Sequence, residues 1–449
     1  DRHAHPASGE LAGGLDDPSR MASSFAGVSG GSIHENALIV RGNSPKGLLW
    51  SLEGVEIPNP THFAGSTIAG GGYTTIFSNT VLANSDFLTG AFPAEYGNTV
   101  AGVFDMNFRN GNNQTPQYTL EAGTMGLNAG AEGPFSKDGN SSYLFNYRYS
   151  TMALATKILI DDSRTPEYQD LSFKLNFPTR KAGTFSLWGI GGLGSVDQEA
   201  EMDSTEWEFG QDHANYDHNF VTAASGLSHK LILGEKSFLS STLFATINSF
   251  EMHSDSLNSN MDFLRNEEIS NRDLKLGFQT ALTHRFSPFL TTQTGIVANQ
   301  LFYDITTHLF NKEQSLLEEY LDEQGNTTHL QAYTQLEMSF SDRISATAGV
   351  HVQYLDLNEN YSIEPRVDFN WTLSSTQSVG LAYGLHSQLE PTKIYFTHYR
   401  DPESGVLNSN RALDFTKAHH LVFSYKQKLS RNMWLTLEPY IQQLYDVPV

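Results

Sequence analysis

The chain has 449 residues, no cysteine, and 28 Lys and Arg against 50 Asp and Glu, a net charge of −22. So acidic a chain is a poor partner for nucleic-acid phosphates, which call for clustered cations. The missing thiols exclude disulfides, thiolate metal sites and a cysteine nucleophile. A hydrophobic fraction of 39% is too high for a disordered polyanion, yet nowhere do the roughly 18 apolar residues of a membrane-spanning helix run together. The nearest run, Met152 to Ile160, is broken by Lys157, and the opening Asp1-Arg2-His3-Ala4-His5-Pro6 lacks a signal-peptide pattern. A β-barrel stays open, since its strands carry a weaker signal per segment.

Along the chain, residues 1–116 are rich in Gly, Ser and Asn, with short apolar runs such as Ala37-Leu38-Ile39-Val40 and Gly47-Leu48-Leu49-Trp50. From residue 117 onward, long segments alternate apolar and polar. The first pair, near Tyr118–Gly123 and Leu127–Phe135, closes over Thr124-Met125-Gly126. The clearest segment sets Leu330, Ala332, Thr334, Leu336, Met338 and Phe340 against Gln331, Tyr333, Gln335, Glu337 and Ser339. Ile344 to Tyr354 repeats the pattern. Val367, Phe369, Trp371 and Leu373 then oppose Arg366, Asp368, Asn370 and Thr372. Further on, Val379, Leu381, Tyr383 and Leu385 oppose Gly380, Ala382, Gly384 and His386. Near the end Leu435, Leu437 and Ile441 oppose Thr436, Glu438, Tyr440 and Gln442. A period of two over so many residues predicts strands with one apolar and one polar face.

Strand length separates the architectures. Soluble sandwich strands average about 5–6 residues, whereas tilted membrane-spanning strands need about 9–11. The polar faces carry Glu, Gln and His deep within each segment, which a water-filled lumen tolerates and a dry sandwich core does not. The predicted fold is therefore all-β, a transmembrane antiparallel barrel of about fifteen strands, with residues 1–116 as a small α+β unit and 117–449 as the barrel. Short turns are expected near Lys137-Asp138-Gly139, Thr179–Gly183, Gly234-Glu235, Ser287-Pro288, Ser341-Asp342, Ser374-Ser375 and Ser430-Arg431. Long connections are expected near 153–167, 197–215, 254–263, 307–327 and 391–412, on the extracellular side. An odd count with an open last edge cannot close in lipid, so the chain is expected to continue beyond Val449.

Several motifs carry a resemblance. Ile39-Val40-Arg41-Gly42-Asn43-Ser44, followed by Ser51-Leu52-Glu53-Gly54-Val55-Glu56-Ile57, resembles the arginine-glycine strand and acidic turn of the plugs of TonB-dependent outer-membrane receptors. Leu88 to Gly97 and Ala101 to Arg109 resemble the end of the same plug. Ile363-Glu364-Pro365-Arg366, His386 to Pro391, and Glu438-Pro439-Tyr440 to Asp446 look like barrel strands of the Bacteroidota members. The resemblance implies a barrel of about 22 strands with a plugged lumen, so closing strands and a Ton box are expected outside this chain. It implies an outer-membrane protein, no cofactor, and no catalytic residue. It further implies energy-coupled uptake of an iron chelate, peptide or glycan, driven by a TonB-ExbB-ExbD-type inner-membrane complex. A surface lipoprotein is a further expected partner, besides membrane lipid. One alternative is a barrel that anchors such a lipoprotein or a secretion partner without importing. Another is a soluble all-β carbohydrate-binding protein.

The resemblance also implies site residues. Plug arginines at the positions of Arg41 and Arg109 pair with barrel glutamates in that family. An arginine against a lumen wall suits a bidentate carboxylate, with Glu390 the first candidate and Glu364 and Glu438 next. The bland alternative is a set of solvated lumen charges. The plug's upper loop, Ile57 to Tyr73, is expected to face substrate through Asn59, Thr61, His62, Phe63 and Tyr73, or else to be a mobile Gly- and Pro-rich loop. Residues 197–217 hold eight carboxylates and His213, with His218 just beyond. Their spacing matches no calcium loop, so a solvated segment is expected and no metal is assigned. Three enzyme signatures are set aside. Gly27–Gly31 fits a nucleophile elbow without a readable strand and helix. Gly189–Gly194 fits a dinucleotide fingerprint but sits inside a barrel strand. His34-Glu35 begins a zinc motif whose second histidine position is Leu38. No enzyme is expected.

Overall fold

The structure is a computed structural model that describes residues 3–4, 17–31, 35–65, 70–123, 126–137, 139–150, 165–207, 212–258, 260–311, 316–400 and 407–448. Its N-terminal elements are β1 (His3–Ala4), α1 (Pro18–Ala22), β2 (Val28–Gly30), β3 (Leu38–Val40), β4 (Leu48–Leu52), β5 (Val55–Ile57), β6 (Asp86–Leu88) and β7 (Gly102–Met106). Five of these strands form one sheet in the order β1-β6-β7-β4-β5, with β4 and β7 parallel at its centre. The runs Leu48–Leu52 and Gly102–Met106 are almost wholly buried, as a central pair covered on both faces requires. Leu52, Val55, Phe87, Phe104 and Met106 make the core. The turn from β4 to β5 places Glu53 (φ 54°) and Gly54 (φ 79°) in the left-handed region, the two-residue geometry that matches hairpin twist.

The large sheet follows: β8 (Gln117–Gly123), β9 (Gly126–Pro134), β10 (Ser142–Tyr149), β11 (Thr165–Pro178), β12 (Thr184–Gln198), β13 (Ala214–Gly234), β14 (Ser237–Leu257), β15 (Phe263–Ser287), β16 (Leu290–Asn311), β17 (Leu316–Ser341), β18 (Ile344–Leu355), β19 (Asn360–Ser374) and β20 (Gln377–Gln388). Then come α2 (Thr392–Phe396), the small hairpin β21 (His398–Arg400) and β22 (Leu407–Ser409), β23 (Thr416–Ser430), β24 (Met433–Leu437) and β25 (Tyr440–Tyr445). Each sheet strand pairs antiparallel with its sequence neighbour, and β23 follows β20. The sheet has 16 strands. Both β24 and β25 lie along β23, interrupted at Glu438-Pro439, because proline has no N–H to donate to a ladder. They make one line, which brings the count to the expected fifteen.

The faces follow the alternation. Leu330, Leu336, Phe340, Phe369, Leu381, Leu421 and Phe423 are exposed on the outside, while Gln331, Gln335, His351, Glu364, Arg366, His386 and His420 are buried inside. Strands from β9 to β25 reach the N-terminal unit, so the sheet curves around it. The result is an antiparallel barrel wall with a plug in its lumen.

The connections differ from expectation in two places. Residues 254–263 and 307–327 are expected as long loops, but β13 to β17 run 21 to 26 residues each and take up half of the first stretch and most of the second. On β15 the outward apolar positions are Leu274, Leu276, Phe278 and Leu282, and above them the same face carries Glu268, Ser270 and Arg272. The strands thus rise past the apolar band into water, where both faces turn polar and the period-two signal fades. The turns expected at Thr124-Met125 and Asp138, and the connection at 153–164, fall outside the described residues.

Replacing an outward apolar residue of the band by a cation should cost stability while leaving the plug contacts alone. Leu381→Arg is expected to lower folding stability in lipid vesicles by about 2–4 kcal/mol, read from the urea midpoint of heat-modifiable gel mobility. An unchanged midpoint would mean that this face does not meet lipid.

Candidate functional site

The plug surface meets the wall through ion pairs of both polarities. Arg41, held at φ 51° in the turn after β3, puts Nη2 at 3.3 Å from Glu438 Oε2 and its guanidinium 4.6 Å over the Tyr440 ring. Burial lowers the Arg41 pKa and Glu438 opposes that shift, so the guanidinium stays charged. Arg109 grips Glu132 of β9 with both Nη atoms, at 2.6 and 3.0 Å. Lys46 reaches Glu390 at 2.8 Å. In the reverse sense, Lys174 of β11 contacts Glu53 at 2.7 Å and Lys275 of β15 contacts Glu56 at 3.1 Å. Burial pushes the Glu56 carboxyl up, but Lys275, His329 and the Asn98 amide together hold it below its usual range.

Of the glutamates singled out in the sequence, then, Glu438 stands opposite Arg41. Glu390 accepts from a plug lysine rather than an arginine. Glu364 stays within the wall, 2.7 Å from Arg366, and Arg366 in turn donates to the plug carbonyls of Pro93 and Tyr96. The partner of Arg109 is Glu132, which the sequence reading missed because β9 is short and rich in glycine. Lys174 and Lys275 were missed because only plug cations were sought. The signal was present: Phe173-Lys174-Leu175 and Leu274-Lys275-Leu276 each set a lysine on the inward face of a strand whose neighbours face lipid.

Among the described residues of the upper loop, three of the expected side chains are closed off from the open lumen. Thr61, His62 and Phe63 are buried. Thr61 donates to Asn59, whose amide donates to the carbonyls of Gly70 and Gly71. Phe63 packs with Tyr168 and Phe220 of the wall, and the Tyr73 ring lies 6.5 Å away. His62 Nε2 lies 3.0 Å from Asp170 Oδ2, and Arg148 grips the same carboxylate at 2.8 and 2.9 Å. Burial lowers the His62 pKa, outweighing the pull of Asp170, so the neutral imidazole donates. This approach needs glycine in β12: a Cβ at Gly192 would lie 2.6 Å from Ile76 Cγ2 and 2.9 Å from His62 Cε1. The run that mimics a dinucleotide fingerprint is therefore where the wall makes room for the plug.

A further band of wall histidines holds plug residues 91–100. His351 donates from Nδ1 to Ala94 O at 2.8 Å. His420 donates from Nε2 to Val100 O at 2.9 Å and accepts from Ala91 N at 3.3 Å. The polar faces of the strands contained these histidines, but nothing local said what they would touch. For residues 197–217, no group of three or more His, Cys, Asp or Glu placed to hold an ion occurs among the described residues.

No family model matches the chain, and no curated protein matches it by sequence. Solved structures do match in fold. The outer membrane transporter YddB from Escherichia coli aligns with a TM-score of 0.66 and 13% identity over 95% of this chain and 67% of its own. The siderophore receptor PirA from Acinetobacter baumannii aligns at 0.67 and 12% over 96% and 68%. The copper transporter OprC aligns at 0.72 and 12% over 99% and 73%. The chain shares the fold of these transporters and receptors, none of which is named as an enzyme.

Two outcomes follow from the interface. Lys174→Met strands the Glu53 carboxylate in a site where the two side chains are 9% and 4% exposed. Plug seating should weaken by about 3–5 kcal/mol, seen as earlier protease cleavage of the plug in urea, with Glu53→Gln restoring part of it. At His62, a folded-state pKa below the ordinary 6.5 means the unfolded loop binds the proton more readily. Its stabilisation is present above that pH and lost as pH falls below it. Hydrogen exchange at residues 61–63, corrected for intrinsic rates, should rise in acid for the wild type but not for His62→Gln.

Proposed function

We propose that the protein is a TonB-dependent receptor that takes up a substrate across the outer membrane, with residues 1–116 as the plug and 117–449 as barrel. The observation that carries this reading is the uneven seat of the plug. On one side its core runs into Leu144, Trp188, Ile190, Ala224 and Phe244 of β10–β14, alongside the polar contacts of Arg148, Asp170 and Lys174. On the other, from β15 to β25, the contacts are ion pairs and hydrogen bonds from Lys275, His351, Arg366, Gln388, Glu390, His420, Glu438 and Gln442. Such contacts are directional and are lost over a short displacement, whereas apolar burial is not directional. A mechanical pull from a TonB-ExbB-ExbD-type complex can thus part the plug from the wall on that side, which a plug buried in a continuous apolar core would resist.

The substrate classes to try are ferric siderophores and copper, taken from the names of the structural neighbours, with peptides and glycans beside them. The motif resemblances favour a Bacteroidota-type receptor, in which a surface lipoprotein is an added partner. Arg41, Lys46, Arg109, Glu53 and Glu56 are the residues assigned to plug retention. Asn59, Thr61, His62, Phe63 and Tyr73 are assigned to seating the apex rather than to direct substrate contact.

The test is uptake of radiolabelled ferric chelates, copper, peptides and oligosaccharides by cells carrying the protein. Accumulation of one class is expected, and a protonophore should abolish it. Surface binding that a protonophore leaves unchanged would point instead to a non-transporting anchor, and binding of no class would overturn the reading.

A further inference from the structure

The described residues at the two ends of the connection between β20 and β23 do not stand clear of the barrel. Its first leg, residues 389–397, contains α2, and the side chains of Tyr395 and Phe396 are fully buried. Its second leg ends at Phe415, equally buried. Both legs pack on an apolar patch of the inner wall, Tyr303 and Ile305 of β16, Leu321 of β17 and Leu355 of β18, with the Phe396 and Tyr303 rings 4.7 Å apart. Four apolar side chains in a row facing the inside of a water-filled barrel are unfavourable unless something covers them. The legs are that cover. Polar contacts pin them: Asn358 and Asn360 donate to Leu413 O at 2.7 and 2.9 Å, and the Arg411 guanidinium lies 5.8 Å over the Phe396 ring.

The root of the first leg is bonded to the plug. Gln388 donates to Lys46 O at 2.8 Å, Leu389 N donates to Asn98 Oδ1 at 2.8 Å, and Thr99 N donates to Ser387 O at 3.0 Å. Glu390 joins all the parts. One oxygen accepts from Lys46 of the plug at 2.8 Å, the other from Thr416 at the root of the second leg at 2.6 Å, and its own N–H faces the Tyr395 hydroxyl at 3.4 Å. This carboxylate is buried, so it cannot exchange a lost partner for bulk water, and its bonds must be kept or broken together.

We propose that the two legs form an inward-folded strap over the plug and that Glu390 couples them, so that unseating the strap loosens plug residues 46–49 and 97–101, and unseating the plug loosens the strap. On the reading of the protein as a transporter, this ties the outer cover of the pathway to its plug; the coupling itself requires no transport. Coupling of two sites is reciprocal in free energy, which makes the proposal testable from either end without knowing the substrate.

The experiment is hydrogen exchange with mass-spectrometric readout on the protein in detergent, using three variants. Phe396→Ala empties part of the strap's seat and should speed exchange in the strap legs and, by roughly tenfold, at plug residues 97–101, while plug residues 86–88 on β6 stay unchanged. Lys46→Met cuts the link from the plug side and should speed exchange in residues 389–397 without touching the apolar patch. With Glu390→Gln as background, Phe396→Ala should speed the strap alone. A strap that loosens in Phe396→Ala while residues 97–101 keep their wild-type rate overturns the proposal. So does a Lys46→Met strap that exchanges at the wild-type rate, which decides the matter if Phe396→Ala disturbs the whole barrel. Unchanged coupling in the Glu390→Gln background would remove Glu390 from its role.

Discussion

A barrel wall in lipid has no choice about its two faces: the outer one meets hydrocarbon, and the inner one must meet something polar. Filling that lumen with a folded plug creates a boundary where charges are withdrawn from water on both sides. A charge stranded there costs far more than a matched pair returns. Most of what is specific about this interface follows from that asymmetry. Glu53 in the β4–β5 turn and Glu56 on β5 each find a wall lysine, while Arg41, Lys46 and Arg109 each find a wall glutamate. Opposite polarities around the same plug fix its rotation as well as its position, because turning it would oppose like charges.

The boundary is not uniform, and the difference has mechanical meaning. Against β10–β14 the plug's apolar core continues into Trp188, Ile190 and Phe244, beside the buried pairs of Lys174 with Glu53 and of Asp170 with His62. Against β15–β25 it is held by histidines, glutamines and charges, with residues 388–390 bonded to the plug on that polar side. Apolar burial is non-directional and tolerates small slips, whereas hydrogen-bond geometry fails within a fraction of an ångström. The glycines of β12 bring His62 and Phe63 close to the wall.

Much of the wall was legible because period-two alternation depends only on near neighbours. The inward set Gln331, Tyr333, Gln335 and the outward set Leu330, Leu336, Phe340 were separable by counting, and the fifteen strand lines came from the same rule. The reading failed where the solvent on the two faces is the same. Above the lipid, β14 to β17 carry residues such as Glu268, Arg272 and Asp322 outside and Asn271, Asp273 and Glu323 inside, so residues 307–327 looked like loop although they are mostly paired strand. The apical residues failed for another reason. His62, Phe63 and Tyr73 suit ligand contact and wall packing equally well, and only the nearness of Gly192 and Gly194 turns them to the wall.

Chain order alone thus determined which side of each strand meets oil, because that choice is repeated every second residue along one local stretch. It could not determine which carboxylate each cation would meet. Arg41 and Glu438 are 397 positions apart, and Glu364, Glu390 and Glu438 are chemically the same group on similar polar faces. Only the closed geometry, with the plug rotated to one setting and every buried charge answered at once, distinguishes them.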